Sequence, residues 1–331
     1  MPPPVRSVLV YSMGEVIGDG LIKLPFLAAV RRAYPEARLA WCAAKGETVY
    51  TTSLKPVAEG LIDEVIASGV TGAGLGDLLS LRRPFGGETF DVILDTQTNV
   101  RRSLVCRRAR AGVFVSPSAD FKLSDSKPQV WPEALVDRLS CLLSLATGTE
   151  IPFSPVPLTN PRAVQAAEAL LPGRGYVGFA PGAGGKVKRW PLDRYLALAE
   201  GQRQQGRKLV FFLGPDDKEE AAAVRQAMPD ALTPELDRQD AYPDVKGPLL
   251  VIALAARLEA AVANDAGPGH MLAAGGAPLL SLQQIGRKAV KFHPAARRLE
   301  MLVAEDYGAP DMAQIPLADA EAALARLLSA P

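Results

Sequence analysis

The chain has 331 residues, is 48% hydrophobic and 22% charged, and carries 37 Lys and Arg against 36 Asp and Glu. High apolar content at a net charge of +1 excludes a predominantly disordered chain and argues against a protein that coats nucleic acid. Two histidines, His270 and His293, and three distant cysteines, Cys42, Cys106 and Cys141, fit no metal-ligand spacing, so no metal site is expected. The cysteines read as small buried residues of a reducing compartment.

Met1-Pro2-Pro3-Pro4 lacks the apolar run of a signal peptide. No apolar stretch reaches the roughly 20 residues that a bilayer span requires; the longest, 248–263, is broken by Arg257 and Glu259. A cytoplasmic protein is expected, with surface contact to a membrane left open.

Short β-branched runs alternate with amphipathic segments. Residues 5–11 read as a buried strand and 19–33 as a helix that Pro35 closes. Strands are expected at 38–42, 63–66 and 91–95, and helices at 100–110 and 131–146. Prolines 152, 155, 157 and 161 make 148–161 a semi-rigid linker. The rhythm then restarts, with strands at 176–180, 208–213, 260–263 and 278–282. Helices are expected at 192–204, 218–227, 249–257 and 317–328. This βαβ alternation predicts an α/β fold with parallel sheets in two domains of similar size. One large domain with a proline-rich loop is the alternative.

Five constellations could carry chemistry, and four follow strands directly, where open α/β sheets bind ligands. In Ser12-Met13-Gly14-Glu15-Val16-Ile17-Gly18-Asp19-Gly20, a carboxylate could act as general base; Asp19 serves equally as a helix cap. From Ala180 to Pro191, small residues expose backbone N–H groups beside Lys186, Lys188 and Arg189, which suits a phosphate or diphosphate. Asn264-Asp265-Ala266-Gly267-Pro268-Gly269-His270 should start a helix whose N-terminus attracts anions, with His270 in the first turn. Gly214 to Glu220 places acidic residues at a helix start, which either stabilise it or bind sugar hydroxyls. Around Arg101 and Arg102 lies a local basic helix, either solvated or suited to an anionic substrate or headgroup.

Together these segments resemble glycosyltransferase family 9, the family of the lipopolysaccharide heptosyltransferases. Gly18-Asp19 with Pro25, Pro181-Gly182-Ala183 running to Lys188-Arg189-Trp190-Pro191, Gly214 with Glu219 and Glu220, and Asp265-x-Gly267-x-x-His270 stand in the family's order along most of the chain. The resemblance implies a GT-B architecture: two Rossmann-like domains facing a cleft, 1–155 for the acceptor and 156–315 for the nucleotide sugar. A C-terminal helix, 316–331, would cross back onto the first. It implies inverting transfer without metal or other cofactor, typically of heptose from ADP-heptose to an anionic envelope glycolipid, at or near the inner face of the inner membrane.

On that reading Asp19 is the general base, with Glu15 its competitor because the first turn is about one residue longer than usual. Gly182, Ala183, Gly184, Lys188, Glu219, Glu220, Asp265, Ala266, Gly267 and His270 hold the donor, and Gly18 and Arg102 face the acceptor. Ala266 stands where the family usually has Ser or Thr. A non-catalytic nucleotide-sugar-binding homologue and a GT-B epimerase are the alternatives. A nicotinamide oxidoreductase fits less well, because no clean GxGxxG is present.

Overall fold

The computed structural model describes residues 4–152, 154–158, 160–237 and 242–329. Two compact units emerge, Met1–Phe153 and Ser154–Pro331. Each is built on a five-stranded, wholly parallel sheet.

The first unit runs β1 (Ser7–Ser12), α1 (Ile17–Ala33), β2 (Arg38–Ala43), α2 (Lys55–Ala58), β3 (Glu64–Ile66), β4 (Thr89–Asp95), α3 (Val100–Arg107), β5 (Arg110–Val115) and α4 (Leu135–Thr147). Strand order is β3-β2-β1-β4-β5. The sheet therefore grows one way from β1 and the other way from β4, and this reversal opens a crevice at their carboxyl ends. β1 reads SVLVYS and is almost wholly buried, as a central parallel strand should be. On α4, Val136, Leu139, Leu142 and Leu143 form the buried stripe, and the helix packs on α1.

The second unit runs α5 (Pro161–Leu170), β6 (Tyr176–Ala180), α6 (Leu192–Gln204), β7 (Lys208–Phe211), α7 (Lys218–Ala227), α8 (Pro234–Asp237), α9 (Pro248–Ala255), β8 (Leu258–Asn264), α10 (Gly267–Ala274), β9 (Leu279–Gln283), α11 (Gly286–Phe292), β10 (Leu299–Val303) and α12 (Leu317–Ser329). Its order, β10-β9-β8-β6-β7, puts the reversal between β6 and β8.

Three expectations need correction. The basic helix ends at Arg107, and β5 follows at once along β4. The linker gives way at Asn160, whose side chain caps α5 by accepting from the N–H groups of Arg162 and Ala163; Pro161 opens that helix, a position where its missing N–H costs nothing. Phe153 and Thr159 of the linker lie outside the described residues. Residues 286–303 hold α11 and β10, which no periodicity had marked.

The C-terminal helix α12 contributes to the core of the second unit. Its buried residues Ala320, Ala323, Leu324 and Leu327 join that core, with Val177, Phe179 and Leu280. Small alanines alternating with leucines let the helix lie close to β8, β9 and β10. Truncating the fully buried Leu324 to Ala should cost about 2–5 kcal/mol.

Candidate functional site

In the first unit the site begins where β1 ends. Gly14 adopts φ +102°, and a Cβ there would lie 2.2 Å from the Glu47 carbonyl oxygen, so the turn requires glycine. Glu15 points inward. Its Oε1 accepts from the Ser12 hydroxyl and from Lys23 Nζ at 3.0 Å, and its Oε2 from Thr48 Oγ1 at 2.7 Å and Trp41 Nε1 at 3.2 Å. Four donors use the four acceptor sites of a carboxylate. Glu15 thus ties the turn to β2 and the segment after it.

Asp19 stands in a different position. The N-cap of α1 is Val16, with no side-chain cap bond, and Asp19 lies in the first turn, exposed. It is therefore not the helix cap. No hydrogen bond or ion pair holds its carboxylate among the described residues. Next to it, a Cβ on Gly18 would meet nothing within 4 Å, so internal packing does not demand glycine there.

At the neighbouring carboxyl end, β4 finishes in Asp95, fully buried. It accepts from Ser116 Oγ at 2.7 Å and the Gln97 N–H at 2.8 Å, and burial pushes its pKa up to about 6. Then α3 begins, capped by Asn99, which accepts from the Arg102 N–H. The basic cluster divides here. Arg107 pairs with Asp125 at 2.7 Å, and Arg101 and Arg108 bind loop carbonyls. Arg102 Nε is buried without a partner among the described residues.

In the second unit the loops after β6, β7 and β8 are bolted together. Asn264 Nδ2 donates to the Pro181 carbonyl at 2.7 Å, while its Oδ1 accepts from the Trp190 N–H at 3.1 Å. Trp190 in turn donates from Nε1 to the Ile315 carbonyl at 3.0 Å. Beneath Gly182 sits Asp217, and a Cβ on that glycine would come within 2.5 Å of Asp217 Oδ2. Asp217 accepts from the Gly214 N–H at 2.9 Å and faces Arg189 at 3.4 Å. Arg189 also donates to the Ala183 carbonyl and pairs with Glu220. Glu220 is thereby committed to the loop, and Glu219, one position earlier on α7, is exposed.

Lys188 closes a one-turn 3-10 segment, Lys186–Lys188, and its Nζ lies 3.3 Å from Asp265 Oδ2. Ala266 is the N-cap of α10 and offers no side-chain acceptor to the helix start. Gly267, Pro268 and Gly269 follow, and then His270, buried, with Nδ1 lacking a partner among the described residues. Burial pushes its pKa down to about 4, against the opposing pull of Asp265, so the imidazole is neutral at pH 7.

The second unit thus gathers Gly182, Ala183, Gly184, Lys188, Asp265, Ala266, Gly267 and His270 at the reversal between β6 and β8. Glu219 and Glu220 sit in the first turn of α7, which follows β7. The first unit places Gly18 and Asp19 after β1, and Arg102 after β4. Sequence reasoning missed Asn264, Asp217 and Asp95 as organisers of these loops. Asn264 and Asp95 had a visible signal, a polar residue closing an otherwise apolar strand (AAVAN, VILD).

Comparison with known proteins bears on this arrangement. The model of glycosyltransferase family 9 (heptosyltransferase) matches residues 78–314, most of the chain. The chain belongs to glycosyltransferase family 9. This family 9 chain is 35% identical over 115 residues to lipooligosaccharide heptosyltransferase 2 of Haemophilus influenzae, a match covering 34% of the chain and 32% of that relative. It therefore spans about a third of the length of the curated relative.

Solved structures share its fold. A glycosyl transferase family 9 protein of Veillonella parvula superposes with TM-score 0.66 at 20% identity, over 98% of this chain and 97% of that one. E. coli heptosyltransferase WaaC, solved with ADP, gives 0.62 at 16% identity over 97% and 99%. E. coli ADP-heptose lps heptosyltransferase II gives 0.60 at 17% over 98% of each. The fold of the family 9 chain is the GT-B fold of these structures, with two parallel α/β sheets. The matched span takes in all three bolted loops of the second unit and starts after the Asp19 turn.

Proposed function

We propose that this chain is an inverting, metal-independent glycosyltransferase that moves heptose from ADP-heptose onto an anionic glycolipid of the cell envelope. One observation carries the reading. Lys188 pairs with Asp265 at the reversal of the second sheet, beside a helix N-terminus without a side-chain cap whose first turn holds His270, buried, with Nδ1 lacking a partner among the described residues. Cation, free backbone N–H groups and a neutral imidazole suit a nucleoside diphosphate.

Asp19 removes the proton from the acceptor hydroxyl. The oxygen attacks the anomeric carbon from the face opposite the diphosphate, the carbon–oxygen bond to the diphosphate breaks, and ADP leaves. Lys188 and the start of α10 stabilise the charge that develops on the leaving group. Glu219, exposed where Glu220 is engaged by Arg189, contacts the nucleoside. Arg102 takes an anionic group of the acceptor. The family membership and the heptosyltransferases of the same fold support this donor and acceptor class.

The test is calorimetric titration of ADP, ADP-heptose and a panel of other nucleotide sugars, with ADP release followed in the presence of a chelator. Binding of ADP-heptose and chelator-resistant release are expected; no binding across the panel would end the proposal. Ala266 favours one second reading, a nucleotide-sugar-binding homologue without turnover. Donor binding with no ADP release on any envelope acceptor would select it.

A further inference from the structure

The loop ahead of β4 turns apolar side chains outward. Leu75, Leu79 and Leu81 are 81%, 85% and 100% exposed, and Leu78 is exposed beside them. Scattered exposed leucines are ordinary, but four within the seven residues 75–81 form a patch that marks an interaction site.

The patch is held in place. Asp77 Oδ2 accepts from the N–H groups of Gly72 at 2.7 Å and Gly74 at 3.3 Å. Arg108 donates to the carbonyls of Asp77, Leu78, Ser80 and Arg82, and Arg101 to those of Gly74 and Ala73. These contacts fasten the loop to α3, so the leucines are displayed on a braced loop. On α3 itself Val100 and Leu104, one turn apart, are exposed as well. Arg82 and Arg83 follow the leucines directly, both exposed, and neither guanidinium has a partner among the described residues.

We propose that residues 75–83 form a membrane-docking element, with the leucines entering the headgroup boundary of an anionic phospholipid bilayer and Arg82 and Arg83 binding its phosphates. Apolar tips rimmed by unpaired arginines match the two layers of such a surface. A protein partner fits less well, because the loop offers no aromatic anchor from Ala73 to Arg83, and leucine is under-represented among binding hot spots. This inference does not rest on the proposed transfer, since docking requires no donor.

Co-sedimentation of the full chain with phosphatidylcholine vesicles, with and without phosphatidylglycerol, tests it. Binding to the anionic vesicles is expected, weakening as salt is raised. Leu79→Ser with Leu81→Ser should lower partitioning about tenfold or more. Arg82→Gln and Arg83→Gln should each lower it about fivefold. Both pairs are surface changes, so the melting temperature and ADP affinity should stay those of the wild type. Absent binding to anionic vesicles, or binding indifferent to the leucine pair, overturns the proposal. So does a leucine-dependent dimer by light scattering without vesicle binding, which would assign the face to self-association. Failed docking with intact donor binding counts against the loop and leaves the transfer proposal standing.

Discussion

Lys188 and Asp265, 77 positions apart in the chain, meet at 3.3 Å between the carboxyl ends of β6 and β8. The pair is partly exposed, so as an ion pair it adds only about 0–1 kcal/mol to stability. Its position makes it better suited to binding than to folding. Lys188→Ala should leave the melting temperature nearly unchanged and weaken ADP binding about tenfold to a hundredfold, the loss of one charge-assisted contact. Unchanged affinity in calorimetry would remove Lys188 from the donor site.

Glu15 should behave in the opposite way. Its carboxylate is buried, pairs with Lys23 and accepts from three further donors. Glu15→Gln replaces one acceptor oxygen with an N–H₂ group and leaves Lys23 without its counter-charge. Breaking such a pair costs on the order of 3 kcal/mol. Urea denaturation should show a drop of that size. A variant of normal stability that had lost turnover would instead make Glu15 the base.

Ala266 marks a helix start without a side-chain cap. Ala266→Ser supplies an acceptor within reach of the Gly269 N–H alone, because Pro268 has none, and that N–H already donates to the Ala266 carbonyl at 3.1 Å. The shared bond should stabilise the chain by at most about 1 kcal/mol. An unchanged or lowered melting temperature would show that the N-cap geometry of α10 does not admit the bond.

His270 predicts a pH dependence. Its folded pKa of about 4 lies below the ordinary 6.5, so between these values the unfolded chain binds the extra proton. Stability from this group is complete above pH 6.5 and falls as pH drops toward 4, by up to about 1.4 kcal/mol per unit. Asp95 works in reverse: raised to about 6, it contributes stability at low pH that is lost as pH climbs through 6. Comparing wild type with His270→Asn isolates the histidine. The variant should lack its share of the acid loss between pH 6.5 and 4; parallel curves would mean that His270 is solvated in the folded state.

Local sequence showed much of this fold. β6, α6 and α7 begin and end where apolar runs and amphipathic spacing put them, because each is decided by its own residues and the turns beside it. β5 was hidden because Arg110-Ala111-Gly112 continues a basic, helix-like stretch and only its pairing with β4 makes it a strand. β10 is an edge strand, half exposed, with Glu300 at its second position and an exposed Met301 in its middle, so it lacks a buried run. The stripe on α12 showed that the helix has a face to bury, but which sheet receives it depends on tertiary fit.

The site divides in the same way. Its loops were legible because glycines, cations and carboxylates at strand ends announce themselves. Which carboxylates are already spent was not. Glu15 is consumed by Trp41 and Thr48, and Glu220 by Arg189, partners that only the folded chain brings near.

Turnover of the Asp19→Asn variant is the most direct test of the proposed mechanism. With ADP-heptose and an envelope glycolipid acceptor, the ADP-release rate should fall about 10²–10⁴-fold, the range for loss of a general base. ADP-heptose affinity, measured on the same protein, should be that of the wild type. Turnover near the wild-type rate would contradict the account and leave Asp19 as a first-turn carboxylate that only steadies α1.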